Sequence, residues 1–383
     1  MSALIDGMTP ALTPGPGGRP VARVQTDPAE LLETPKTYLD RASALALAAS
    51  SLARKDSGWN TTASDPAGDL PDFRSGISVG TAYGCSESMV RFWQSVVQKG
   101  PRLANPLFFS HSYPNIPASM EAIEHRLGGV HLTFCQGMAS GALAVAAAVD
   151  ALRLGQADRM LAGGFDTISP SYDDEGSSAT AFSLFDADSR PLYGEGAAML
   201  ALEPVRPGDD DPGLCHIAGV GSASFVPEIE ISPKGAIRFT PGDGPAASHA
   251  ISTAMRAALA DAGEAASSVG AVFLSAAGHT DLDIAEAVAI RDLFAPLGLA
   301  APTCACLAAH TGLAPGAWAV YGILAAAIAL RDEWVIEVGC PIGPDLPSLP
   351  GLATEPVERL VRLALVNSVD PSGACVTLAV RKS

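Results

Sequence analysis

Long apolar runs unbroken by Gly, Pro or charge are missing from this chain. A bilayer-spanning helix needs roughly 18 consecutive apolar residues; "GILAAAIAL" is shorter, follows the Gly- and Pro-containing "GLAPGAWAVY" and ends in the charged "RDE". No basic-then-apolar leader is visible either, so a cytoplasmic setting without a membrane partner is expected. Positive charge is scarce: 24 Lys and Arg face 41 Asp and Glu, a formal net charge of −17. Nucleic acid and anionic lipid are therefore not expected as partners, because like charge repels them. Charged residues make up only 17% against 48% hydrophobic, which excludes extensive disorder and implies a large packed core. Cysteine pairs of C-x-x-C spacing are absent. The seven cysteines fall at 85, 135, 215, 304, 306, 340 and 375, with Cys304 and Cys306 placed as neighbours on one face of a strand. Without matching histidine pairs, neither a metal nor another cofactor is expected, and reduced, mostly buried thiols are.

What is present reads as alternating strands and helices. Residues 1–36 are rich in Pro and Gly ("TPGPGGRP") and form an irregular lead-in, with "ALIDGMTP" as the candidate opening strand. A first half spans 37–205 and a second 214–383, joined by the acidic "RPGDDDPG". In the first half, "TPKTYLDRASALALAASSLARK" predicts an amphipathic helix capped at Thr37, and "SGISVGTAYG" a buried strand. Asn105-Pro106 and Pro114-Asn115 mark turns, with a helix from Asn115 to Gly128. The second half offers "LCHIAGVGSASF" as a strand, "ASHAISTAMRAALADAG" as a helix ended by Gly263, and "GAVFLSAAG" as a buried strand. Two further helices ("IAEAVAIRDLFA", "GAWAVYGILAAAIALRDEW") precede closing strands at "LALVNS" and "ACVTLAV". That order implies an α/β protein with parallel-rich sheets covered by helices.

The most informative stretch runs from Leu132 to Glu203. "LTFCQGMASGALAVAAAVDALRLGQADRMLAGGFDTIS" reads as a strand, a tight turn, an Ala-rich helix and a strand closed by glycines, and "RPLYGEGAAMLALE" follows. A turn leading into a buried small-residue helix is where α/β enzymes hold a nucleophile, since the helix start offers free N–H groups and a positive dipole end. The wording closely resembles the β-ketoacyl synthase (condensing enzyme) family, with its pattern T-A-C-S-S-G, a helix, A-D-x-M-x-A-G-G and later G-E-G-A. The resemblance covers about residues 37–383 and implies a thiolase-type fold: five αβαβα layers from two pseudo-repeated halves, with the active site between them.

Decarboxylative condensation needs a nucleophilic thiolate, two imidazoles and an oxyanion hole. Counting back from Gly164 without gaps, the family's Cys position falls on Met138. A thioether forms no thiolate and holds no thioester, so Met138 is expected to fill space at a buried turn. Cys135, three residues earlier, is the alternative nucleophile, although its place on the strand aims it elsewhere. The family's first histidine falls on Ser275 when Asp283 and Glu286 are matched to its acidic residues; His279, four residues on, is expected to be a loop residue. The second falls on His310 in "ACLAAHTGLAPGAWA", with Ala305 at the family's lysine. His310 alone can bond a carbonyl but cannot run the condensation. The family's "NSFGFGGxN" has become "NSVDPSGAC" at Asn367–Cys375.

A retained framework with discarded chemistry resembles the chain-length-factor subunits of type II polyketide synthases. The resemblance implies a non-catalytic partner of a catalytic ketosynthase, completing a heterodimer and shaping the acyl tunnel. Acyl carrier protein would be met indirectly, through that partner, since it is usually acidic like this chain. "NPLFFSHSYPNI" aligns with the interface segment of such subunits, making Phe108, Phe109, Ser112, Tyr113 and Ile116 the tunnel candidates. Two alternatives stand beside this: an active condensing enzyme or acyltransferase using Cys135 with His310 and His279, and a homodimeric acyl-thioester-binding protein.

Overall fold

A computed structural model describes residues 11–383 except 16–17, 33, 37, 60–69, 170–181, 206–212, 232–236, 243 and 299–300. The candidate opening strand, the Thr37 cap and most of the acidic bridge lie outside the described residues. In the lead-in, β1 (Leu12–Pro14) pairs antiparallel with β2 (Pro20–Ala22), and Val21 and Ala22 are buried. The first long helix, α1 (Arg41–Asp56), is capped by Asp40, whose Oδ1 accepts from the Ser43 N–H at 3.0 Å. Ala42, Leu45, Ala46, Leu47 and Ala48 are buried, while Leu52 faces solvent.

The fully buried β3 (Ser75–Gly80) is followed by α2 (Ser86–Lys99), the short α3 (Pro106–Ser110) and α4 (Ile116–Glu124). Asn105 caps α3 by accepting from the Leu107 N–H. The α4 helix stops at Glu124, four residues before the expected Gly128, because Arg126 turns into positive φ. Then come β4 (His131–Phe134), α5 (Ser140–Arg153), β5 (Arg159–Asp166) and β6 (Gly196–Leu202). The first sheet has the order β4-β3-β5-β6, parallel except for β6, which leaves β4 at an open edge.

The second half supplies β7 (His216–Ser224), a two-stranded ribbon of β8 (Glu228–Ile231) and β9 (Ile237–Thr240), and α6 (Gly244–Ala262). After these follow β10 (Val269–Phe273), α7 (Thr280–Phe294), β11 (Thr303–Ala305) and α8 (Trp318–Asp332). The short pair β12 (Trp334–Val335) and β13 (Val357–Glu358) leads to β14 (Leu363–Val369) and β15 (Ala374–Arg381). The second sheet runs β11-β10-β14-β15-β7. In each sheet the strands at one side pair in parallel and those at the other antiparallel.

Packing stacks these parts in five layers. The α1 and α4 helices cover the outer face of the first sheet, and α6 the outer face of the second with α7 packed on it. Between the sheets lie α5 and α8, each touching both. Alanine-rich sequences suit that middle layer: Ala142, Ala144, Ala148, Ala326 and Ala329 are fully buried and let backbones approach closely. The starts of α5 and α8 meet there, with the ends of β3 and β5 beside them.

Candidate functional site

The turn entering α5 is where a nucleophile would stand. Met138 lies in a single 3-10 turn, Gly137–Ala139, and is 4% exposed. Its N–H donates to Asp370 Oδ2 at 2.7 Å, and its carbonyl accepts from Ser368 Oγ at 2.7 Å. Gln136 N–H donates to Ser140 Oγ at 2.7 Å, and the Gln136 side-chain amide to Ser372 Oγ at 2.9 Å. The β14–β15 hairpin therefore grips the turn from several sides.

Ser275 follows β10 in a loop held by two carboxylates of α7. Glu286 accepts from the N–H groups of Ser275 at 2.9 Å and Ala276 at 3.0 Å. Asp283 accepts from those of Ala277 at 3.2 Å and Gly278 at 2.9 Å. Burial pushes Glu286 up to about 7 and Asp283 up to about 6, against the pull of those N–H donors. The Ser275 hydroxyl accepts from the Val369 N–H at 2.8 Å, and its carbonyl accepts from Trp318 Nε1 at 3.2 Å. A serine bound on every side positions backbone and offers a substrate nothing.

Met138, Ser275, His279, Leu282 and Val369 surround a cavity of about 10 Å³, close to the space one water requires. The fold thus brings the nucleophile position and the first histidine position together. His279, expected as a loop residue, is the last loop residue before α7 and also lines this cavity. His310 is placed otherwise. It lies in the helical turn Ala308–Thr311, and its Nε2 is 2.9 Å from the Glu337 carbonyl. A carbonyl only accepts, so Nε2 carries the hydrogen and is committed to that bond. Cys135 follows β4 at the surface and is not among the residues lining the cavity. Partial burial and the Asp166 carboxylate raise its thiol pKa, the opposite of nucleophile activation.

The tunnel candidates are not among the residues lining this cavity. Ser112 is buried and donates to the Phe109 carbonyl at 2.8 Å, while Phe108 and Ile116 are half-buried. Phe109 and Tyr113 are exposed, with ring centroids 5.5 Å apart, and Phe92 stands 5.2 Å from Phe109. Trp93, Val97, Leu103 and Leu107 extend the exposed apolar surface along α2 and α3. Ring contacts join Trp93, Phe92, Phe109 and Tyr113 within this surface.

Two site residues escaped sequence reading. Asp370 was visible only as the loss of a family glycine, and its bond to Met138 spans 232 positions of chain. Asp166, at the end of β5, accepts from Thr81 Oγ1 and from the N–H groups of Ala82, Tyr83 and Gly316. Burial raises it to about 6. It ties β5, the loop after β3 and the start of α8 behind the Met138 turn. An acid two residues past the paired glycines of a buried strand was its only signal.

Residues 21–207 match the family model described as beta-ketoacyl synthase, N-terminal domain. The chain is 28% identical over 177 residues to a "3-oxoacyl-[acyl-carrier-protein] synthase 2" of Rhizobium meliloti (strain 1021); the match covers 42% of this chain and 40% of that protein, less than two thirds of its length. Over 366 residues it is 27% identical to "Nodulation protein E" of Rhizobium sp. (strain N33), covering 90% of this chain and 83% of that one. Among solved structures it is similar to "The ishigamide ketosynthase/chain length factor", with a TM-score of 0.80 at 22% identity, covering 95% of this chain and 88% of that one. The five-layer arrangement is the thiolase-type fold.

Proposed function

We propose that this β-ketoacyl synthase-like chain is a non-catalytic, chain-length-factor type subunit that pairs with a catalytic ketosynthase in polyketide biosynthesis. The observation that carries the reading is the state of the nucleophile turn. Met138 stands where a thiol is needed, its N–H is bound to Asp370, and the adjoining cavity holds about 10 Å³. Condensation requires a nucleophile, an imidazole and room for a thioester at one point. This chain supplies the scaffold of that point, with His279 beside it, but neither the thiol nor the room, and a ketosynthase partner would supply them.

The open edge of β4 and the apolar face along α2 and α3 support pairing. An unpaired edge strand and exposed aromatics are liabilities in a lone chain and assets beneath a partner. Phe109, Tyr113 and Ile116 lie on or beside that face, so we assign them to the boundary with the partner, where an acyl tunnel would end. Similarity to a ketosynthase/chain length factor structure agrees with this, though at 22% identity it speaks for the fold. Similarity to a 3-oxoacyl-[acyl-carrier-protein] synthase favours the second reading, catalysis by this chain through Cys135.

Intact-protein mass spectrometry after incubation with an activated acyl thioester decides between them. The chain alone should stay unmodified, and beside its ketosynthase only the partner should gain the acyl mass. A lasting adduct on this chain that disappears in Cys135→Ala would make it an acyl-transferring enzyme and overturn the proposal.

A further inference from the structure

We propose that Asp370 is a built-in plug of the condensation site: its carboxylate occupies the place where an acyl carbonyl oxygen would be stabilised at the start of α5. The proposal rests on the non-catalytic reading and adds to it. The substituted nucleophile is one barrier to acylation, and the carboxylate is a second, independent one. Together they keep a growing acyl chain on the partner.

The geometry carries the argument. Backbone N–H groups at a helix entrance are natural donors to an oxyanion. At this entrance the N–H of residue 138, the nucleophile position, is the donor that a thioester carbonyl would meet. It is instead 2.7 Å from Asp370 Oδ2, within the range of a charge-assisted hydrogen bond. The carboxylate is fixed from its own side as well. Asp370 opens the β14–β15 turn, donating its N–H to the Ala374 carbonyl at 2.9 Å and accepting from the Gly373 N–H at 2.9 Å. Its Oδ1 accepts from the Ser372 N–H at 2.9 Å and from the Ser372 hydroxyl, which also accepts from Gln136.

The turn is shaped around this occupant. Gly137 has φ +52°, and a Cβ there would lie 1.8 Å from Asp370 Oδ2. Only glycine fits beside the carboxylate. A simple helix cap would need the hydrogen bond alone. Here the partner comes from the other half of the molecule, is clamped by its own hairpin, and stands at the one N–H on which the chemistry would depend.

The test restores the nucleophile and then removes the plug. Purified wild type, Met138→Cys, Met138→Cys/Asp370→Ser and Met138→Cys/Asp370→Asn are incubated with the acetyl thioester of N-acetylcysteamine, whose small acyl group makes the least demand on the narrow cavity. Peptide mass spectrometry reads acylation at position 138. In the step tested, the Cys sulfur bonds the acetyl carbonyl carbon, the bond to the donor sulfur breaks, and the thiol proton passes to the departing thiolate. Met138→Cys alone should label slowly. Asp370→Ser, too short to reach the N–H but suited to the first turn position, should raise labelling at least about tenfold, since one oxyanion donor is typically worth about 10²–10³ in rate. Asp370→Asn, whose amide oxygen can still accept from residue 138, should stay near the slow rate. If Asp370→Ser does not fold by thermal melting, Asp370→Gly takes its place with the same expectation. Equal labelling of Met138→Cys with and without the Asp370 change overturns the plug alone. Labelling of wild type at Cys135 would instead overturn the non-catalytic reading.

Discussion

Glu121 lies on α4 with no exposure to solvent, and neither of its carboxyl oxygens has a hydrogen-bond partner. Ser50 is its polar neighbour, but the Ser50 hydroxyl is committed to the Leu47 carbonyl at 3.0 Å and to His125 Nε2 at 2.8 Å. Arg54 Nη1 stands 2.6 Å from the other nitrogen of His125. Burial and that guanidinium hold the imidazole down near 4, so at neutral pH it carries no charge to pair with Glu121. Burial pushes Glu121 up to about 8. Its protonation is thus favoured by folding, and the neutral analogue Glu121→Gln removes an ionisation that the folded chain resists. We expect Glu121→Gln to raise stability at pH 8 by about 1–3 kcal/mol, the usual scale for an uncompensated buried polar group, and to approach parity near pH 5. Urea unfolding at the two pH values measures this, and a less stable variant at pH 8 would count against it.

Among the elements, the meeting of α5, α8, β3 and β5 is the tightest point. A Cβ on Gly164, at the end of β5, would lie 1.9 Å from the Gly316 carbonyl oxygen and 2.7 Å from that of Gly80. Both obstacles are backbone, so neither can rotate away. Gly164→Ala should therefore lose about 1–3 kcal/mol through overpacking, read as a lower urea midpoint with an unchanged slope. This framework was legible from sequence because small residues at helix starts and strand ends are a local signal. The "AGG" closing β5 and the "GEGA" opening β6 announce close backbone contact without any knowledge of partners. Met138 was read by counting back from Gly164, and Ser275 by matching Asp283 and Glu286, both local landmarks of the same kind. Asp370 could not be read as a plug, because its effect arises when a hairpin carries it 232 positions back to the α5 entrance. His279 shows the same limit: its place beside Met138 follows from how Asp283 and Glu286 fold the loop, which spacing alone does not specify. The exposed face is a separate element-scale matter. Trp93 is 59% exposed on α2, so Trp93→Glu should leave the melting temperature of the isolated chain nearly unchanged. It should nevertheless abolish co-purification with a ketosynthase partner. Undiminished co-purification would place the partner elsewhere.

For the whole molecule, charge and burial act in the same direction. The formal net charge is −17, so self-repulsion grows as further carboxyls ionise. Four buried carboxyls are shifted upward: Asp166 and Asp283 to about 6, Glu286 to about 7 and Glu121 to about 8, in each case chiefly by burial. Their ordinary values in an unfolded chain lie near 4. Between pH 4 and 8 these carboxyls bind more protons folded than unfolded. His125, held near 4, and His131, also lowered by burial, act the other way below about 6.5, but the four carboxyls outnumber them, so stability falls as pH rises through the window. The contribution is complete below the unfolded values and is lost progressively as each folded value is passed. Carboxyls shifted the other way, Glu124 beside Lys36, Asp261 beside Arg153 and Asp332 beside Arg331, favour higher pH, but they act below about 4.5, outside the window. Thermal melting of the isolated chain at constant ionic strength should therefore give its highest midpoint near pH 5 and lower values at pH 6, 7 and 8. Glu121→Gln should flatten the upper part of that slope, between pH 7 and 8, where Glu121 is the carboxyl still titrating. A midpoint that climbs from pH 5 to 8 would mean that the hydrogen bonds to Asp166, Asp283 and Glu286 outweigh their burial. Those three would then be ionised clamps of the site rather than proton-holding ones.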